Sequence, residues 1–214
     1  MAEVQISFKQ KSSHVVTLLT LLNVAVYFLW GQLDETFMAE NFLVSAKALD
    51  EGRWWCLITS VFSHNAFIHL FLNMFVLANF GRVIEQIIGS ASFIKFYLLA
   101  GIVSSLVHSM VSAWVIGSPE LSALGASGAI SGIILVFCLL FPKEKILLLG
   151  FIPIPALFGA MIFVGLDLWG LSAQSEGGGL PIGHGAHLGG AVSGIFYYFF
   201  ILRHKLAAPK VRRL

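Results

Sequence analysis

Charge is what this chain has least of. Only 11% of its 214 residues are Asp, Glu, Lys or Arg, against 57% hydrophobic. A soluble domain carries about 25% charged residues. With a mean hydropathy of +0.87, the ordinary soluble classes are excluded and a polytopic membrane protein is left. A net charge of +2 is too small for a nucleic-acid surface. The only cysteines, Cys56 and Cys138, cannot make a disulfide framework and lack zinc or thioredoxin spacing. Cys138 lies in an apolar run and reads as a small buried thiol. No H-E-x-x-H occurs, which disfavours a metallopeptidase. Asp167 is the only aspartate in any span, which disfavours a two-aspartate peptidase. There is no internal repeat, as many transporters have. No cofactor and no metal are expected; His184 and His187 have metal-like spacing without a third ligand nearby.

What is present is a series of apolar runs. The sequence predicts an all-α bundle of six transmembrane helices over 15–203, between a cytoplasmic segment 1–14 and a basic tail 204–214. The spans are expected at about 15–31, 67–88, 93–115, 127–141, 146–171 and 185–202, with Pro153 and Pro155 kinking the fifth. A signal peptide is the alternative for the first run, but no small-residue cleavage site follows. Residues 32–63 form an acidic loop whose Trp54 and Trp55 suit the membrane interface. Six spans put both termini on one side. Lys9, Lys11, Arg82, Lys95, Lys143, Lys145, Arg203, Lys205, Lys210, Arg212 and Arg213 fall there, against Lys47 and Arg53 opposite. Eleven against two predicts cytoplasmic termini. The expected setting is a cell (inner) membrane.

Depth singles out the polar residues that matter. Ser127 lies fourteen residues before Phe141, about 21 Å at the helical rise. The hydrocarbon core is about 30 Å thick, so Ser127 sits below the outer surface. The loop before it must dip into the membrane. His187, sixteen residues before Arg203, and His69, thirteen before Arg82, reach similar depths. Gly128 and Gly132 on one span and Ala186, Gly190 and Gly194 on another repeat at four residues, which lets helices approach closely. An ionisable group inside the bilayer is a functional candidate. A serine at a helix start between glycines can be a simple N-cap, and a lone histidine a satisfied core residue. Together at one depth they read as a Ser127–His187 dyad, with histidine as general base. No acidic third member is evident. Asp167, counted from Ile146, should reach the outer interface as a structural cap.

His69 and Asn73 share a helix face and suit an oxyanion hole with the Ser127 N–H; an interhelical polar bond is the plainer alternative. His64, Gly125 and Gly128 are candidate pocket residues, and His64 reads equally as a loop-end histidine. Arg82 and Glu85 read as structural. His108 and His184 have no evident partner, and His14 and His204 read as solvated.

In this order, Ser63-His64 through His69-Leu70-Phe71-Leu72-Asn73, Gly81-Arg82-Val83-Ile84-Glu85, Gly125-Ala126-Ser127-Gly128 and Ala186-His187-Leu188-Gly189-Gly190 resemble the rhomboid family of intramembrane serine proteases, in its six-span bacterial form. The resemblance covers roughly residues 50–200. It implies Ser127 as nucleophile, His187 as base, and Asn73, His69 and the Ser127 amide around the oxyanion. It implies a cap loop over 171–184 and a lateral gate in the fifth span. It also implies membrane-protein substrates with small residues near the cut and helix-weakening residues beyond it. The expected setting is the lipid bilayer, as a monomer or weak oligomer. One departure is Cys56 after Trp54-Trp55, where the family often has arginine. The rival readings are a catalytically inactive relative that binds membrane proteins, and a small transporter.

Overall fold

The computed structural model describes residues 14–148 and 150–207. Most of the expected N-terminal segment and tail, with Lys9, Lys11, Lys210, Arg212 and Arg213, lie outside the described residues. Among the described residues, six apolar helices dominate. Four are long enough to cross a membrane: α5 (Phe67–Ile88), α6 (Ser90–Ile116), α8 (Ala156–Ser175) and α9 (His184–Leu206). Two are shorter, α1 (His14–Leu29) and α7 (Ser127–Leu140). Between α1 and α5 lie three short helices, α2 (Glu35–Phe42), α3 (Ala46–Asp50) and α4 (Cys56–Thr59). The chain folds as a helical membrane bundle.

Local chemistry sets the boundaries. Asp34 and Ser45 accept from Phe37 N and Ala48 N, both at 3.0 Å, and so cap α2 and α3. Gly117, with φ +77°, closes α6 in the left-handed region. Glu85 is almost fully buried and tethers two helices. Its carboxylate accepts from Val15 N at 3.1 Å, Val16 N at 3.0 Å and Ser90 Oγ at 2.6 Å. It thereby satisfies orphan donors in the first turn of α1, where negative charge also opposes the helix dipole. Glu85→Ala is expected to cost about 3 kcal/mol, as for lost hydrogen bonds to a charged group. Unfolding in mixed micelles checks this, with Glu85→Gln losing less.

The loop before α7 is expected to dip to membrane depth, where its backbone groups are tolerated only if protein satisfies them. The segment between α1 and α5 does so. Val44 and Ala123 exchange two hydrogen bonds of 3.0 and 2.8 Å, Lys47 N donates to Pro119 O at 2.9 Å, and Gly125 N to Ser60 O at 2.8 Å. Trp30 Nε1 fixes the segment's end by donating to Ser63 Oγ at 2.9 Å. Trp54 and Trp55 remain exposed.

The expected fifth span is corrected. The residues before Ala156 are not helix: β1 (Lys145–Leu148) and β2 (Ile152–Pro155) pair as a hairpin, and the helix starts at Ala156. Pro153 and Pro155 would each remove a helical hydrogen bond. At alternate strand positions their missing N–H groups fall on the outer edge instead. Gly150, with φ +85°, makes the turn. Ala156 N donates to Glu144 O at 2.8 Å and Leu157 N to Pro142 O at 3.2 Å, tying the foot of α8 to the turn after α7.

Glycines allow α9 to lie against α6 and α7. A Cβ on Gly190 would lie 1.8 Å from Gly128 O, one on Gly194 2.4 Å from Gly132 O, and one on Gly189 2.8 Å from Val107 Cβ. This is the close approach that the four-residue spacing predicts.

Candidate active site

Gly125 sets up the start of α7. Its φ is +116°, and a Cβ there would meet His69 Cε1 at 2.6 Å. Conformation and space therefore both require glycine. Ala126 follows, and Ser127 is the first helical residue. The Ser127 side chain meets α9: its Oγ lies 3.0 Å from His187 Nε2. On the far side of the ring, His187 Nδ1–H donates to Asp167 Oδ1 at 3.0 Å. A carboxylate oxygen only accepts, so Nδ1 carries the proton. Nε2 of the neutral ring is then free to accept from the serine hydroxyl. Phe163, one turn before Asp167 on α8, stacks on the imidazole at 5.8 Å between centroids.

Asp167 corrects two expectations, that no acid stands beside the Ser127–His187 pair and that this residue is a cap at the outer interface. Depth counted from Ile146 overstates its height, because 145–148 and 152–155 are strand. From the true helix start at Ala156, eleven residues give about 16 Å, the level of Ser127. His184 and His108 also have partners. His184 Nδ1–H donates to Asp167 Oδ1 at 2.7 Å, and His108 Nε2 lies 3.0 Å from Leu121 O. Asp167 and His184 are the site residues that sequence reasoning missed. A usable signal existed: Pro155 as a helix boundary, with the only aspartate of any span a few turns beyond it.

Ser127 and His187 face a cavity of about 760 Å³ that His69, Asn73, Gly125 and Phe163 also line. This is within the usual range for a ligand site. Pro181 and Ile182 close one side. The loop carrying them is tied back by Gln174 Nε2, which donates to Leu180 O at 2.7 Å and Ile182 O at 2.8 Å. Asn73 Nδ2 donates to His69 O at 2.9 Å, within its own helix. His64 and Gly128, expected in the pocket, are elsewhere. Gly128 is a packing residue with no room for a Cβ beside Ser104 Oγ. His64 is fully buried behind Gly125, edge-on to His69 at 4.9 Å, and its Nε2 accepts from Ala126 N at 3.5 Å. Burial, and then the neighbouring His69, push the His64 imidazole down to about 3. It stays neutral and can accept that N–H.

A hydroxyl, an imidazole and a carboxylate stand in series, with the hydroxyl at a helix N-terminus, which is the arrangement that can activate a serine. The structural class is a polytopic membrane bundle with the serine end of this serine–histidine–aspartate series facing a recessed cavity. The chain belongs to the rhomboid family: the Rhomboid domain model matches residues 51–204. It is 34% identical over 189 residues to RHOMBOID-like protein 12, mitochondrial, of Arabidopsis thaliana, covering 83% of this chain and 55% of that protein. It is 33% identical over 199 residues to Rhomboid protein 1, mitochondrial, of Saccharomyces cerevisiae, covering 91% and 55%. It is 32% identical over 191 residues to human Presenilin-associated rhomboid-like protein, mitochondrial, covering 85% and 47%. The chain thus spans about half the length of these curated relatives, which are named as mitochondrial proteins rather than as the bacterial form.

Proposed function

We propose that this rhomboid-family chain is an intramembrane serine endopeptidase that cleaves transmembrane segments of other membrane proteins. The observation that carries this reading is the 3.0 Å contact of Ser127 Oγ with a His187 whose far nitrogen is held by Asp167. His187 Nε2 takes the hydroxyl proton as Oγ attacks the scissile carbonyl, forming a C–O bond and an oxyanion. His69, Asn73 and the Ser127 N–H stabilise that charge; for Asn73 this requires the amide to leave its carbonyl partner in α5. The C–N bond then breaks, and the amine leaves with the proton from His187. Water, deprotonated by the same imidazole, releases the acyl group and restores Ser127. No step requires a metal or cofactor.

The cavity sits behind α8, which is anchored at its foot by the hairpin and otherwise exposes Met161, Leu168 and Trp169. Its outward tilt would admit a substrate helix from the lipid, and segments weakened by glycine or proline would unwind most readily into the site. The protein is a multi-pass membrane protein, and both termini are proposed to lie on the lysine- and arginine-rich side. Span number and charge bias, which led to the expectation of a cell membrane, fit a mitochondrial inner membrane equally. The relatives' names favour the latter setting.

The test is labelling of purified protein with a fluorophosphonate. Wild type should be labelled at Ser127 and lose turnover of a model transmembrane substrate, while Ser127→Ala stays unlabelled and inactive. An unlabelled wild type, together with cleavage by Ser127→Ala, would overturn the reading.

A further inference from the structure

One oxygen of Asp167 serves two imidazoles. Oδ1 accepts from His184 at 2.7 Å and from His187 at 3.0 Å, while Oδ2 is buried without a hydrogen-bond partner among the described residues. The three side chains form a group of potential metal ligands, but the spacing argues for hydrogen bonds. Tetrahedral ligands at about 2.0–2.1 Å from a zinc ion stand about 3.3 Å apart, well beyond the 2.7 Å separation here. His184 is the first residue of α9, one turn before His187, and its ring stands edge-on to that of His187 at 6.5 Å. Space for it is cut from α8 at Gly170, where a Cβ would fall 2.2 Å from His184 Nε2. Asp167 and Gly170 are three apart on the same face of α8. One helix therefore supplies both the acceptor for His184 and the hollow that receives it.

We infer that His184 is a positioning residue for the peptidase reaction proposed above, on which this inference rests: by donating to Asp167 Oδ1 it fixes the carboxylate rotamer that holds His187 toward Ser127. His184 touches neither serine nor substrate. Without its N–H, the carboxylate is held on one side only and turns about its χ2, which is broad for aspartate. The His187 Nδ1–H then loses a fixed acceptor, and Nε2 spends less time aimed at the hydroxyl.

The experiment compares His184→Ala, His184→Leu and His184→Asn in the full chain. Turnover is expressed per site titrated with fluorophosphonate, and thermal melts are run in parallel. The two variants without a donor should lose about 10- to 30-fold in kcat with little change in KM, as partners of functional side chains do. His184→Asn, whose amide can donate from near the Nδ1 position, should recover to within about 3-fold of wild type. Asp167→Ala/His184→Ala should be no slower than Asp167→Ala, since the two act through one contact. Wild-type kcat in folded His184→Ala or His184→Leu, or losses that multiply in the double variant, would overturn the inference. Should neither donor-free variant fold, a His184→Asn slower than about 10-fold would do so. These results leave the peptidase reading intact, because only activity surviving Ser127→Ala removes that.

Discussion

Asp167→Asn is expected to lower kcat by about two to three orders of magnitude, with KM within about 3-fold of wild type. The substitution keeps the side-chain shape and leaves Oδ1 able to accept from His184 and His187. Both imidazoles donate to that one oxygen, so the amide has a clear reason to present its carbonyl to them. The His187 tautomer is then preserved, and what disappears is the negative charge. In the transition state the imidazole becomes cationic at a few ångströms from that charge. At about 4 Å, an effective dielectric near 20 makes the pair worth about 4 kcal/mol, which is close to a thousandfold in rate. Part of this is offset because charge transfer in the transition state is incomplete. Turnover per fluorophosphonate-titrated site is the measurement. A variant within 3-fold of wild type would mean that the negative charge is dispensable and that Asp167 contributes only the acceptor that orients His187.

Asp167 also shows where a sequence stops being legible. The pairing of Ser127 with His187 follows from counting residues to charged boundaries. That works because α7 and α9 are continuous helices between those boundaries. The same count fails for α8. Residues from Ile146 to Pro155 are almost all apolar, and by composition they extend the span. Only the alternate prolines and Gly150 argue against helix, and they can be mistaken for a kink. Starting from the wrong residue lifts Asp167 by about 15 Å, ten residues at 1.5 Å each, and separates it from the site. His184 was hidden for a different reason. Its partner is on another helix, and no spacing within α9 points to it. The glycine spacing of α7 and α9 was legible because close packing constrains the residues of both partners at once. The sequence puts His64 in the pocket, whereas it lies behind it, because its position depends on Gly125 and Ala126 folding over it.

Gly190→Ala is expected to lose at least about a hundredfold in kcat and to melt well below wild type, although a single methyl group is added. That methyl would lie 1.8 Å from Gly128 O, and real Cβ contacts essentially never fall under 3.0 Å. The obstacle is backbone, so no rotamer change relieves it. Helices α7 and α9 must separate by more than about 1 Å near this level. His187 is three residues before Gly190 on α9, and Ser127 is the residue before Gly128 on α7. The separation therefore falls almost entirely on the 3.0 Å contact between them. A displacement of about 1 Å in a reacting group costs about 10²-fold, and a strained core adds about 1–3 kcal/mol of instability. Gly165→Ala on α8 is the matched control, because nothing lies within 4 Å of its Cβ position. There the methyl should leave kcat unchanged and raise stability by up to about 1 kcal/mol through helix propensity. Fluorophosphonate labelling rates and thermal melts on the two variants measure both effects. If Gly190→Ala reacts and melts like Gly165→Ala, then α7 and α9 are not held at the separation on which the Ser127–His187 contact depends.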